Sequence, residues 1–399
     1  MPGRKRPGPG RGDGTAVLRV VLVTYRDDPL AGGSLRVAEN LANGFDPSEV
    51  AAHLVFARGT PGPVSARARV PTHALATRGR ADVIGWDRFR RLLVRIKPDV
   101  VHFVDTPLWM LGVVKALGLK CVVHVHGRPL SRLIRLRHRV ISRAIGNLAD
   151  AHVCITHGAR RTVVDLGWAN AERTWVVANG VDVGYFSAPF PRASARQRLG
   201  IAAGARVLGM VGRLVEHRGF QDGIRLLRLL PGDWQAVICG EGPFRDNLVR
   251  MARDLGLASR VHFTGGLDDV RPALAAMDGY LFTARYDSFG LATAEAMAAG
   301  VPVFGLGGDG EYAEPEYPLI TAHNSVFVDR DNPLSYNSEE PEATLAALAA
   351  RLLATSNDPV EARRLVQAAR AWVAERFSAT QQASRMAAVY HAVAGAAGR

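Results

Sequence analysis

The chain is short of cysteine, of aromatics, of long apolar runs and of acid. Three cysteines stand in 399 residues, each alone inside an apolar run, at Cys121, Cys154 and Cys239. Isolated cysteines of that kind indicate buried, reduced thiols and argue against a disulfide framework or a cysteine metal cluster. No apolar run approaches the roughly 20 residues that a membrane-crossing helix needs. Aromatics make up 7% and do not gather among the arginines. That argues against a nucleic-acid binder, whose surface interleaves basic and aromatic side chains. Asp and Glu number 37 against 50 Lys and Arg, a formal net charge of +13. The imbalance points to anionic partners such as phosphates or acidic lipid, with genome base composition as the competing source of so much arginine.

The first 14 residues are basic and rich in Gly and Pro, with no apolar core behind the charges. They are expected to form a disordered tail rather than a secretory signal, which with the reduced cysteines suggests a cytoplasmic protein. At 48% hydrophobic and 22% charged, the rest suits a soluble globular chain long enough for two domains.

Twelve short β-branched runs are separated mostly by segments of helical period. Six lie at 17–24, 51–57, 99–104, 120–126, 151–155 and 174–177; six more lie at 207–211, 234–239, 261–264, 279–282, 301–304 and 325–328. Continuous apolar strands alternating with helices predict parallel sheets covered on both faces. Two sets of six predict an α/β chain of two doubly wound, Rossmann-like domains, with the break near Pro189 and Pro191. The expected division is a tail over 1–14, a first domain over 15–190 and a second over 191–375. A C-terminal helix over 376–399 is free to cross back to the first domain. Ligands of such sheets bind beyond the carboxyl ends of the strands, here in the cleft between domains.

The segment DSFGLATAEAMAAGVP, residues 287–302, concentrates the chemistry. Phe289 and Gly290 precede a run of strong helix formers, Gly300 stands where a helix stops, and Pro302 prevents its continuation. A helix N-terminus behind a Gly turn is an anion site. Asp287 lies just before that helix and Glu295 one turn into it. One segment can therefore hold a phosphate and two hydroxyl-rich rings, which describes a nucleotide-sugar.

Six segments now fall in one order: GGSLRVAE (32–39), His126 with Gly127, NGVD (179–182), GRLVEHRG (212–219), GEGP (240–243) and the segment just described. Together they resemble the retaining glycosyltransferases of family 4, which have the two-domain GT-B fold. The resemblance runs from residue 32 to about 311. It implies transfer of a sugar from a nucleoside diphosphate, a UDP-sugar by preference, to an acceptor hydroxyl. A bacterial natural product, a glycolipid or an envelope glycan would supply that hydroxyl. Glu295 corresponds to the ribose carboxylate. Asp287 stands where the family usually has Glu facing the donor sugar, one methylene shorter. Arg213 matches the diphosphate-binding Arg, and Arg218 stands where the family usually has Lys. His126 matches the first-domain His near the reactive carbon, and Gly33 the loop glycine beside phosphate and acceptor. Gly212, Gly240, Glu241, Gly242, Phe289, Gly290 and Leu291 complete the nucleotide-sugar set. The resemblance implies no metal or other cofactor, since Arg213, Arg218 and the backbone N–H groups of Gly290 and Leu291 neutralise the leaving diphosphate. The alternative of similar architecture is a non-hydrolysing sugar-nucleotide epimerase, which would form product without an acceptor.

Other motifs point elsewhere and fit less well. GLGGDG over 305–310, with Asp329 about twenty residues later, has the spacing of a dinucleotide fingerprint, but Pro315 and Pro318 cut short the helix it should open. Asp329 and Asp331 make a D-x-D metal motif at the end of the last strand, away from the expected site. His124 and His126 share a strand face without a third ligand nearby, so His124 reads as structural. Arg128, Arg132, Arg135, Arg139 and Arg143 recur at helical spacing opposite apolar residues. Such a helix suits peripheral contact with an anionic membrane at the inner face, a phosphorylated acceptor, or solvent alone.

Overall fold

The computed structural model describes residues 16–28, 33–79, 81–105, 108–127, 146–285, 287–307, 318–330 and 340–395. Each of the twelve apolar runs forms a strand. The first sheet contains β1 (Leu18–Arg26), β2 (Val50–Arg58), β3 (Thr72–Ala74), β4 (Val100–Phe103), β5 (Lys120–Val125), β6 (Ala151–Cys154) and β7 (Thr174–Val176). The second contains β8 (Arg206–Val211), β9 (Trp234–Cys239), β10 (Val261–Gly265), β11 (Gly279–Phe282), β12 (Val303–Gly307) and β13 (Val326–Asp329). The spatial orders are β3-β2-β1-β4-β5-β6-β7 and β10-β9-β8-β11-β12-β13. Every recorded pairing is parallel. The sequence reading missed β3, a three-residue, half-buried edge strand with too little apolar pattern to register.

Helices cover both faces of each sheet. Those of the first half are α1 (Gly33–Gly44), α2 (Pro63–Arg67), α3 (Val83–Ile96), α4 (Leu111–Ala116), α5 (His157–Asp165), α6 (Val183–Ser187) and α7 (Arg192–Arg198). The second half has α8 (Phe220–Arg228), α9 (Arg245–Asp254), α10 (Arg271–Ala276), α11 (Leu291–Ala299), α12 (Glu342–Asn357), α13 (Pro359–Arg376) and α14 (Ala379–Gly395). Four apolar layers result, two per sheet.

The strand order reverses between β1 and β4 in the first sheet, and between β8 and β11 in the second. Loops diverge at such a point and leave a crevice beyond the carboxyl ends. The chain passes between the two sheets at residues 177–182 and returns at 377–379, and these two passages are hydrogen-bonded together. Val181 N donates to Phe377 O (2.8 Å) and Ala379 N to Val181 O (2.8 Å). Asn40 of α1 donates to Gly180 O (2.6 Å), and Gly180 N donates to Gln382 Oε1 (2.9 Å). The final helix, α14, packs on the first sheet: Met386, Tyr390 and Val393 share an apolar layer with Val20, Val100 and Val122.

Candidate active site

Helix α11 is the centre of the site. Gly290 caps its start with φ of +85°, a left-handed conformation that an L side chain adopts only with strain. Gly300 ends it, with Gly300 N bonded to Met297 O (3.0 Å) and Val301 N to Ala296 O (2.9 Å), the paired closure that left-handed caps make. Thr293 through Ala298 are buried, so the helix stands inside the protein with only its N-terminus toward the cleft. Across the cleft stands the N-terminus of α1. A Cβ on Gly33 would lie 3.2 Å from Leu291 Cδ1. Two helix N-termini, one from each half, therefore converge at Gly33 and Gly290, where unpaired N–H groups favour an anion.

The loops leaving β8 and β9 are laced together beside them. Leu214 N donates to Glu241 O (2.8 Å) and Phe244 N to Leu214 O (3.0 Å). Gly240 has φ of +141°, and a Cβ there would sit 1.8 Å from Gly212 O. A Cβ on Gly242 would sit 2.2 Å from Leu214 O, so both glycines are sites of close backbone approach. This lacing fixes where Gly212 and Arg213 leave the sheet. Glu241 itself is exposed, with its carboxylate over Gly265.

Arg218 ends a single 3-10 turn (Glu216–Arg218), and its guanidinium forms an ion pair with Asp287. The pair borders a cavity of about 20 Å³, room for one water and not for a sugar ring. His217, beside them, is held below the ordinary histidine range by burial first, and then by Arg218 and, more weakly, Arg213. Phe289 is buried with its ring on Phe377, centroids 5.5 Å apart.

Glu295 is 7% exposed and faces α1, with its Oε1 3.9 Å from Arg36 Nε. Burial pushes its carboxyl up to about 7; Arg36 pulls it down and Glu39 pushes it further up. Glu39 is itself held by Arg36 (2.9 Å) and Arg67 (2.9 Å).

On the first-sheet side, His126 follows β5 and donates from Nε2 to Val104 O. Its proton therefore sits on Nε2 when the ring is neutral, as burial favours. Ser34 Oγ of α1 donates to Asp105 Oδ2 (2.9 Å), and the charge of Asp105 raises the affinity of His126 for a proton.

The donor-side residues predicted from sequence thus come together on the loops after β8, β9 and β11, and Gly33 meets them. His126 belongs to the loops after β4 and β5 in the first half. Gly32, Gly308 and Asp331 lie outside the described residues, as do Arg128, Arg132, Arg135, Arg139 and Arg143.

Sequence reading overlooked the support beneath the loop. Asp222 and Arg285 pair at 2.6 Å, and Arg330 pairs with Glu340; all four are buried. Arg285 N donates to His217 O (2.8 Å), and Arg330 Nη2 donates to Thr283 O (2.5 Å). The quartet ties the loop carrying Asp287 to the turn carrying Arg218. Asp105, Arg36 and Glu39 were also given no role, although Arg36 and Glu39 sit inside a matched motif. Among the described residues no group of three or more His, Cys, Asp or Glu is placed to hold a metal ion, and no helix is long and apolar enough to cross a membrane.

Two family models match the chain. The model described as Glycosyltransferase Family 4 matches residues 31–185, and that described as Glycosyl transferases group 1 matches 191–314.

The chain belongs to glycosyltransferase family 4.

Similar proteins include the lipopolysaccharide core biosynthesis glycosyltransferase LpsE of Rhizobium meliloti. It is 35% identical over 180 residues, which cover 45% of this chain and 49% of LpsE. The 2-deoxystreptamine N-acetyl-D-glucosaminyltransferase of Streptomyces fradiae is 30% identical over 232 residues, covering 52% of this chain and 55% of that protein. The chain thus spans about half the length of these relatives. Anabaena HepE, solved in complex with UDP and glucose, superposes with a TM-score of 0.75 at 18% identity, covering 94% of this chain and all of HepE. That likeness establishes the GT-B fold: two Rossmann-like sheets, here of seven and six strands.

Proposed function

We propose that the protein is a retaining, metal-independent glycosyltransferase that takes a nucleoside-diphosphate sugar, a UDP-sugar by preference, and moves the sugar to an acceptor hydroxyl. The observation that carries the reading is the convergence at one point of the α1 and α11 N-termini, the Arg218–Asp287 pair and the buried Glu295. Residues 191–375 hold the nucleotide and residues 15–190 present the acceptor.

In this reading the diphosphate lies over Gly290 and Leu291, with Arg213 and Arg218 as its countercharges. The ribose reaches Glu295, whose carboxylate accepts from its hydroxyls. Gly212, Gly240, Glu241 and Gly242 wall the nucleotide side, and Phe289 holds the loop from below. Donor entry opens the Arg218–Asp287 pair. Arg218 then turns to phosphate as a bidentate donor, and Asp287 accepts from sugar hydroxyls. The bond from the sugar's anomeric carbon to phosphate oxygen breaks, and the acceptor oxygen bonds to that carbon on the same face. The acceptor's proton passes to the departing phosphate oxygen. Preorganised cations and helix N–H groups stabilise the growing phosphate charge, each by about 3 kcal/mol. His126 lies on the opposite wall, beside the reacting carbon.

The acceptor is a bacterial natural product, a glycolipid or an envelope glycan. Named relatives act in lipopolysaccharide core synthesis and on 2-deoxystreptamine, which supports this range. Work on a membrane-borne acceptor would take place peripherally at the inner face, through the arginines of 128–143. Flotation with anionic vesicles tests that contact, and equal recovery with and without anionic lipid removes it.

A thermal-shift panel of sugar nucleotides tests the donor. UDP-glucose or UDP-N-acetylglucosamine at a hundredfold excess over its dissociation constant should stabilise the fold by about 2.7 kcal/mol. Absence of any shift across uridine and guanosine sugars overturns the reading. An epimerase would convert the sugar nucleotide without acceptor; the family matches give that alternative no support.

A further inference from the structure

Behind His126 stands a column of histidines that the proposed chemistry does not use. His124 is on β5 and His126 directly follows that strand, and their rings lie parallel at 7° with centroids 4.4 Å apart. His102, on β4, stacks on the far side of His124 at 9° and 5.2 Å. Its Nε2 lies 3.2 Å from His124 Nδ1, and its Nδ1 lies 2.6 Å from the Tyr390 hydroxyl of α14. His102 and Tyr390 are fully buried, and His124 is nearly so. Burial holds His102 and His124 neutral and keeps the Tyr390 hydroxyl protonated.

Three parallel imidazoles stacked across the neighbouring strands β4 and β5 are not explained by apolar packing, because buried polar groups are costly unless paired. Both ring nitrogens of His102 are engaged, so that ring cannot turn without breaking a bond. His124 is bonded only toward His102; its Nε2 is buried with no partner. The plane of His124 therefore depends on His102, and the plane of His102 on Tyr390. His126 rests on His124 and is bonded to Val104 O at its edge. The helix carrying Tyr390 starts two residues after Phe377, the ring that packs on Phe289 in the donor loop.

We propose that Tyr390 is a positioning residue for the cleft histidine: its hydroxyl orients His102, which orients His124, whose stacked ring holds the plane of His126 and so keeps its Nε2–H on Val104 O. The inference deepens the glycosyltransferase reading and rests on it for the role of His126. The C-terminal helix, continuous with the nucleotide half, thereby reaches the opposite wall of the cleft without touching substrate.

Tyr390→Phe removes the hydroxyl and keeps the ring contact with Phe45. Two readouts separate positioning from mere stability. Long-range proton–nitrogen NMR of the full chain should show His126 as the Nε2–H tautomer in the wild type and a tautomer mixture in Tyr390→Phe. Turnover with UDP-glucose should fall about fivefold, the worth of one hydrogen bond, with donor KM unchanged within about twofold. His102→Phe, which removes the middle link at similar shape, should reproduce both effects. Phe45→Leu, which loosens the same helix and leaves the hydroxyl, should lower the melting temperature alone. An unchanged His126 signature in both Tyr390→Phe and His102→Phe overturns the proposal. The NMR arm needs no substrate, so a chain that turns over no sugar nucleotide would refute the functional reading and leave this test decisive.

Discussion

Glu295 should make nucleotide affinity depend on pH in a calculable way. Its carboxyl is pushed from 4.5 to about 7, chiefly by burial. The rise corresponds to about 3 kcal/mol of preference for the neutral form. Between pH 4.5 and about 7 the folded chain holds this proton and the unfolded chain has lost it. Folding stability from this group therefore falls as pH rises through that window, and above it the penalty is complete. Nucleotide binding offsets the penalty, because two ribose hydroxyls donate to the carboxylate. Protonation replaces one accepting site with a donor. The ionised fraction climbs from about one tenth at pH 6 to about nine tenths at pH 8, so UDP should bind about tenfold more tightly at the higher pH. Glu295→Gln removes this titration and keeps the shape. The ratio of wild-type to variant affinity, from calorimetry at each pH, cancels the titrations of phosphate and of His217. Arg36→Ala should shift the rise to higher pH, because Arg36 pulls the carboxyl down. A wild-type to Glu295→Gln ratio that stays flat from pH 6 to pH 8 would refute the reasoning.

Further perturbations probe other parts of the site. Arg218→Ala should lower transfer about 100-fold or more, measured as UDP release, while acceptor KM stays nearly constant; unchanged turnover would remove Arg218 from the diphosphate site. Asp287→Glu restores the longer carboxylate and should alter the ranking of donor sugars in a competition assay. Gly240→Ala places a Cβ 1.8 Å from Gly212 O at φ of +141°, and should cost more than about 3 kcal/mol in chemical denaturation. Asp222→Ala leaves Arg285 without its 2.6 Å partner. It should destabilise by about 3 to 5 kcal/mol and also weaken UDP binding, because the donor loop hangs from that pair.

The fold was legible because its strands are buried on both faces. A strand such as Val20 to Val23 carries no polar interruption, so its run stands out against amphipathic helices. β3 escaped because three half-buried residues carry no such signal. The donor side was legible because glycines at close backbone approaches and an acid one turn into a helix lie near one another in sequence. Pairings between distant elements were not. Nothing in the sequence joins Asp222 of α8 to Arg285, Arg330 and Glu340, which come from three other segments. Arg218 and Asp287 were assigned to phosphate and sugar separately, and their mutual ion pair follows only from the fold. His124 was read as a structural histidine, and its link through His102 to Tyr390 spans more than 260 residues of chain.

The central claim is retention of configuration in transfer from a nucleotide-sugar held between Arg213, Arg218, Glu295 and the α11 N-terminus. Slow hydrolysis of UDP-α-glucose, or of the donor chosen by the thermal-shift panel, followed by proton NMR, tests it without knowledge of the acceptor. The account predicts that the α-anomer of the free sugar appears first, and that Arg213→Ala and Arg218→Ala abolish its release. First appearance of the β-anomer, or conversion to an epimeric sugar nucleotide with no free sugar, would contradict it.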